Sequence, residues 1–344
     1  MGADPSGGRP FRVALSGDLA SATQQSSWGD IGLDALAAEG IGHSFLPDEP
    51  VLRPEDLDGL DAVLFAAPRV DAASVSGPRP PCLLARFGVG LDAVDVEACT
   101  AAGVGVTITP DGARRPVATA ALTLVLAVQH RLLVKHRLVE RGRWDDKLAY
   151  MGRGLTGSTL GTVGLGNVAR ELFALTRPFG TRNLAADPWR TPEQAAALGA
   201  ELVELPELLR RSDVVVVTSA LTPETHRLLD REMIALMPPH AVLVNVARGP
   251  IVDTEALTAA LVEGRLAGAG LDVVDPEPLP PDHPLVGLDQ VILSPHGLAW
   301  TDELARGNGS SAVRAILAVR DGRRPDHVVN PEAFEHPRYA GAFR

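Results

Sequence analysis

Short runs rich in Val, Leu and Ala recur along the chain and alternate with stretches of helical periodicity. A first block holds "FRVALS" (11–16), "DAVLFAA" (61–67), "CLLARFG" (82–88) and "VGVTIT" (104–109). A second holds "STLGTVGLG" (158–166), "NLAAD" (183–187), "SDVVVVTSA" (212–220), "AVLVNVAR" (241–248), "AGAGLDVV" (267–274) and "VILSPH" (291–296). The interiors of these runs carry few polar residues, as expected of strands covered by helices on both faces. Strands alternating with helices predict an α/β chain with parallel sheets. Among the helical stretches, "GLDALAAEG" (32–40) ends on Gly40, a natural stop. "TPDGARRP" (109–116) is a turn-rich connector that leads into a long apolar helical run through "LVKHRLVERG". A final helix is expected over 302–322, although Gly307 and Gly309 interrupt its pattern.

A chain of 344 residues suggests about two domains. Its formal charge of -11 weighs against a nucleic-acid partner, which needs clustered Lys and Arg. The longest apolar run, "VATAALTLVLAV" (117–128), is too short to span a bilayer, so no membrane partner is expected. Cys82 and Cys99 sit in neither CxxC nor Cys/His spacing. That predicts no metal site and no disulfide, but buried thiols in a reducing cytoplasm. The leader "MGADPSGGRP" lacks the apolar core of a secretory signal; Gly2 and Ser6 match a myristoylation pattern that a flexible leader explains equally well.

The strongest local motif is "TLGTVGLGNVAR". Gly164, Gly166, Asn167, Val168 and Ala169 form G-x-G-x-x-A directly after a strand and before a helix. Gly164 permits the tight turn, Gly166 lets backbone amides approach a pyrophosphate, and Ala169 allows close helix–strand packing. Asp187 ends the next strand, where an acid accepts hydrogen bonds from the ribose hydroxyls and repels a 2′-phosphate. The combination points to NAD rather than NADP; a helix cap is the alternative for Asp187. Three more strand ends carry polar residues: Arg248 in "LVNVARGPIVD", Asp272 and Glu277 in "GLDVVDPEP", and His296 in "SPH". In open α/β sheets the ligand crevice lies outside these carboxyl ends. Taken alone, His296 is a histidine ending an apolar run; with three other polar residues at strand ends beside a nucleotide turn it belongs to a candidate site.

From about Leu84 to Pro331 the chain resembles the D-isomer-specific 2-hydroxyacid dehydrogenases, through "FGVGLDAVD", "TLGTVGLGNVAR", "LTPETHRLL", "LVNVARGPIVD", "AGLDVVDPEP" and "SPHGLAWTDE" in that order. The resemblance implies two doubly wound parallel-sheet domains, with a Rossmann NAD-binding domain (112–297) inserted in a flavodoxin-like substrate domain (1–111 and 298–344). It implies hydride transfer between nicotinamide and the C2 of a 2-hydroxy or 2-oxo acid. His296 would be the general acid/base, Glu277 its partner, and Arg248 the clamp on the substrate carboxylate and carbonyl. Gly88, Val89 and Gly90 would hold the carboxylate, and Trp300 would wall the pocket. Ala220, Val246, Ala247, Asp272 and His296 would line the cofactor beside the glycine turn. It further implies hinges near Asp111 and Gly297, and a homodimer with the long helix from about Pro116 in the interface.

The pattern also departs from the family. Thr119 replaces an acid that often follows "VA", and Thr218-Ser219-Ala220 replaces an H-x-P. Phosphoglycerate dehydrogenases carry an Arg on the third strand, for which only Arg69 is nearby. A phosphite or formate dehydrogenase is disfavoured by the missing Lys in "FGVGLDAVD" and by Glu277. The rival from another class is an NAD(H)-sensing corepressor-like binding protein that keeps the same motifs.

Overall fold

The apolar runs form strands, as their composition predicts, in a computed structural model that describes residues 9–339 and 343. The Gly2/Ser6 pattern lies outside these residues. The chain divides into two compact units, Met1–Ala113 with Trp300–Arg344, and Arg114–Ala299.

The first unit is built on five parallel strands: β1 (Val13–Leu15), β2 (His43–Phe45), β3 (Ala62–Phe65), β4 (Leu83–Arg86) and β5 (Gly105–Thr107). Their order, β2-β1-β3-β4-β5, is the flavodoxin-like one. Ala14, Val63, Phe65, Leu84 and Val106 meet in its core with Cys99. The final helix, Asp302–Arg320, runs unbroken through both glycines. They serve packing: a Cβ at Gly307 would lie 2.7 Å from the Gly112 Cα, and one at Gly309 would lie 2.0 Å from the Ile31 carbonyl oxygen. Both cysteines are buried and free. Burial pushes the Cys99 thiol up to about 12, and a thiol of that kind is chemically quiet.

The second unit carries seven parallel strands: β6 (Thr159–Val163), β7 (Arg182–Ala186), β8 (Ala200–Leu202), β9 (Val214–Val217), β10 (Val242–Asn245), β11 (Gly268–Leu271) and β12 (Val291–Leu293). The order is β12-β11-β10-β9-β6-β7-β8, a Rossmann sheet with one added strand. The chain winds outward from β6 through β7 and β8, then returns to β9 on the other side of β6. The carboxyl ends of β6 and β9 therefore flank the switch point where such sheets bind ligands.

The connector expected at 109–116 is instead the start of a helix, Pro110–Gln129, which continues past Pro116. Pro110 has a φ suited to a first helical position. The expected single long run breaks at Arg131, whose φ of +52 is left-handed, and resumes as Leu132–Glu140. No single helix among the described residues is long and apolar enough to cross a membrane.

Candidate active site

Gly164 follows β6 with φ +95, and a Cβ there would lie 3.0 Å from the Ser219 backbone. Thr218 closes this approach from β9. Its amide donates to the Val163 carbonyl at 3.0 Å, and its hydroxyl donates to the Val163 and Gly164 carbonyls at 3.2 and 3.1 Å. The departure at 218–220 thus keeps a structural purpose, fastening the glycine turn. Gly166 begins the helix Asn167–Thr176 with no side chain capping it, and a Cβ at Gly166 would meet nothing within 4 Å. The helix start consequently presents backbone donors to open space, a ready anion site. Thr119, at the other departure, bonds within its own helix to the Arg115 carbonyl at 2.9 Å.

Asp187 follows β7 and accepts the Leu165 amide at 2.8 Å through Oδ2 and the Trp189 amide at 2.9 Å through Oδ1. One carboxylate thus ties the glycine turn to the neighbouring strand end, and each oxygen retains a second lone pair. Trp189, which sequence reasoning passed over, stands 89% exposed beside this acid. Together, the unfilled space at Gly166, the uncapped helix start and the anchored Asp187 fit a dinucleotide. Across the mouth, the Ala220 carbonyl accepts the Thr225 hydroxyl at 2.8 Å.

The loops after β10, β11 and β12 are built as one unit. Asn245, only 1% exposed, accepts the Ala247 amide at 3.0 Å and donates to the Arg248 carbonyl at 2.9 Å. This sets the turn Val246-Ala247-Arg248, and Arg248 Nη1 donates to the Ala247 carbonyl at 2.7 Å. Asn245 is thus a positioning residue that the sequence motif had hidden as the end of an apolar strand. Gly249 lies directly on the next loop, since a Cβ there would fall 1.8 Å from the Val274 carbonyl oxygen.

Asp272 is buried, and its Oδ1 accepts the Ser294 hydroxyl at 2.6 Å and the Gly297 and Leu298 amides at 3.0 Å each. Its backbone carbonyl accepts the His296 amide at 2.8 Å. Its first task is therefore to shape the loop that carries the histidine. His296 has φ +52, uncommon for a side chain of this kind and a mark of a site whose surroundings hold it. Its Nδ1 lies 2.9 Å from Glu277 Oε2, while Glu277 Oε1 accepts the Val274 amide at 3.0 Å. Nε2 has no protein partner among the described residues. A carboxylate on Nδ1 fixes the ring and its tautomer, which leaves Nε2 to exchange a proton.

In the first unit, the 88–90 turn follows β4. Three carbonyls here are hydrogen-bonded: Arg86 Nη1 donates to Phe87 at 3.4 Å and Nε to Gly90 at 3.1 Å, and the Thr109 amide donates to Gly88 at 2.9 Å. The Gly88 amide is committed to the Arg86 carbonyl at 3.0 Å, so Gly88 contributes through its φ of +145 and not as a donor. The Val89 and Gly90 amides remain without protein acceptors among the described residues. Such paired amides form an anion-binding concavity.

Trp300 packs tilted against Trp28 (centroids 4.6 Å apart, planes at 54°), and Trp28 meets Phe87 edge-on at 5.2 Å. Arg69 pairs with Asp71 at 3.6 Å. Tyr150 lines a cavity of about 610 Å³ with His240, Ala267 and Gln290. Those three precede β10, β11 and β12, so this cavity opens at the end of the sheet opposite His296. No group of three metal-ligating side chains occurs among the described residues.

Residues 122–297 match the family model of the D-isomer specific 2-hydroxyacid dehydrogenase, NAD binding domain. A glyoxylate reductase of Thermococcus onnurineus is 38% identical over 285 residues, covering 81% of this chain and 84% of that protein. A D-3-phosphoglycerate dehydrogenase of Methanocaldococcus jannaschii is 39% identical over 72% of this chain but only 47% of its own length. Among solved structures, the TT0316 protein of Thermus thermophilus superposes with a TM-score of 0.80 at 35% identity, over 93% of this chain and all of that one. A glyoxylate reductase from Paecilomyes thermophila gives 0.80 at 27% identity, over 94% of this chain and 99% of that one. By its glycine turn, its strand-end residues and these likenesses, the chain belongs to the D-isomer-specific 2-hydroxyacid dehydrogenases.

Proposed function

We propose that the protein is an NAD-dependent 2-oxoacid reductase and 2-hydroxyacid dehydrogenase in which His296 is the general acid/base. The observation that carries this reading is the Glu277–His296 pair, with Nε2 unpartnered, at the carboxyl end of the sheet that bears the dinucleotide turn. The 164–169 turn and Asp187 hold NAD(H), and Val246, Ala247, Ala220 and the outer edge of Asp272 line it. When bound, the nicotinamide supplies the hydride in reduction and accepts it in oxidation.

The chain's own residues do the rest. The Val89 and Gly90 amides bind the substrate carboxylate. Arg248 offers a planar fork of donors that orients the acid and draws electron density toward its carbonyl oxygen. As C2 gains the hydride, the C=O bonding pair moves to oxygen, which takes the Nε2 proton. Glu277 stabilises the imidazolium beforehand and keeps the neutral ring in place afterwards. In oxidation Nε2 removes the hydroxyl proton. Oxidation of NADH on addition of 2-oxo acids tests the reading; NADH binding with no turnover on any of them would replace it with a sensing role.

Asp187→Ala is expected to raise the ratio of NADP to NAD kcat/KM by about tenfold or more, since removing one charge contact is worth about 1.5–3 kcal/mol. An unchanged ratio would remove Asp187 from the ribose.

We also propose a homodimer, in a reducing cytoplasm that suits the buried thiols. The helix Pro110–Gln129 spends its apolar residues inside its own unit, with Ala118, Ala121, Leu124 and Val125 at most 1% exposed. The uncovered apolar side chains follow it: Leu132, Val139, Trp144, Leu148 and Met151 are 58–75% exposed. A second copy would cover them. Leu148→Asp should then shift the sedimentation coefficient from dimer to monomer, and a wild-type monomer would refute the assignment.

A further inference from the structure

Resting on the oxidoreductase reading, we infer that Trp28 and Trp300, with the buried Phe87 behind Trp28, form a shelf for the C3 substituent of the substrate, and that this substituent is apolar and bulky: a branched aliphatic or aromatic 2-oxo acid. The shelf begins where the carboxylate is held. Phe87 immediately precedes the 88–90 turn, Trp28 lies 5.2 Å from it and Trp300 4.6 Å from Trp28, centroid to centroid. All three belong to the same unit. With the carboxylate on the Val89 and Gly90 amides, C3 would meet the rings that adjoin the turn.

Exposure supports an apolar occupant. Among the described residues of this unit, the large apolar side chains left exposed are Val89 at 44% and Trp300 at 62%. One is in the carboxylate turn itself and the other ends the aromatic cluster. Large apolar surface left open beside a polar anchor is the usual make-up of a ligand site. Trp28 is carried to this place by design of the loop after β1: Ala20 and Ser26 form an antiparallel bridge, and the Ser27 amide donates to the Leu19 carbonyl at 2.8 Å.

Charge argues against a phosphorylated substituent. Arg69 is occupied by Asp71. The Asp18 carboxylate stands at the end of β3, where it accepts the Ala67 amide at 2.8 Å, and would repel a second anion. A hydrogen at C3's place, as in glyoxylate, would leave the exposed indole without a partner.

The test is a kcat/KM panel with NADH and glyoxylate, 4-methyl-2-oxopentanoate and phenylpyruvate. At least one of the two bulky acids is expected to exceed glyoxylate by tenfold or more. Trp300→Ala should lower the ratio of bulky acid to glyoxylate by about tenfold and Trp300→Phe should restore most of it. Trp28→Ala should act in the same direction. Trp300 is largely outside the core, so its truncation empties no cavity. Glyoxylate matching or exceeding both bulky acids would overturn the shelf while leaving the oxidoreductase reading intact. A rise in bulky-acid turnover in the alanine variants would also overturn it, because the indoles would then be a stop that keeps the site small. Absence of turnover on every acid would bring down the oxidoreductase reading and the shelf together.

Discussion

Replacing His296 with Asn lowers kcat for NADH-dependent reduction of a 2-oxo acid by about a hundredfold to ten-thousandfold, the range that general acid–base catalysis contributes. Asn is the informative replacement because the position has φ +52, and Asn tolerates left-handed backbone better than most residues. The loop is held from elsewhere: Asp272 binds the Gly297 and Leu298 amides and the Ser294 hydroxyl. Removing the imidazole therefore leaves its scaffold standing, and NADH still binds, as cofactor fluorescence would show. Glu277→Gln is milder, since the amide oxygen can still accept from Nδ1, although it gives up the charge and turns its NH2 toward the Val274 amide. A His296→Asn enzyme turning over within threefold of wild type would assign the proton to another group.

The second large effect is at Arg248. Its truncation to Ala is expected to lower kcat/KM by about 2–5 kcal/mol, or roughly thirtyfold to several thousandfold, the cost of removing one member of a desolvated charge pair. Both KM and kcat should worsen under the proposed clamp role, in which the guanidinium binds the acid in the ground state and draws on its carbonyl in the transition state. Lys should recover only part, having charge without the fork. The backbone at this position is secured by the Asn245 side chain at the Arg248 carbonyl, so the alanine variant keeps the turn. A lower melting temperature with unchanged kinetic constants would make Arg248 a structural residue.

Much of this was legible in the sequence because it is encoded at short range. The glycine turn, the acid after β7 and the strand-end residues are fixed by a few consecutive positions each, and the strands that carry them are apolar enough to announce themselves. What escaped is short, polar or built from distant parts of the chain. β2 is three residues long with His43 and Ser44 exposed, and β8 contains Glu201, exposed on the edge of its sheet. Neither has the apolar run that marks an inner strand. Gly307 and Gly309 read as helix breakers, since nothing near them reveals that Gly112 and Ile31 need their missing side chains. The Arg131 break is a single left-handed residue inside an otherwise helical pattern. Asn245 acts through the loop that its side chain holds, which no local motif records.

The measurement that bears most directly on the central claim is a crystal structure of the protein with NADH and oxamate, an unreactive mimic of a 2-oxo acid. The account predicts the pyrophosphate on the 164–169 turn and an oxamate oxygen within hydrogen-bond distance of both His296 Nε2 and the Arg248 guanidinium. Oxamate bound away from His296, or cofactor phosphates seated elsewhere than the glycine turn, would contradict it.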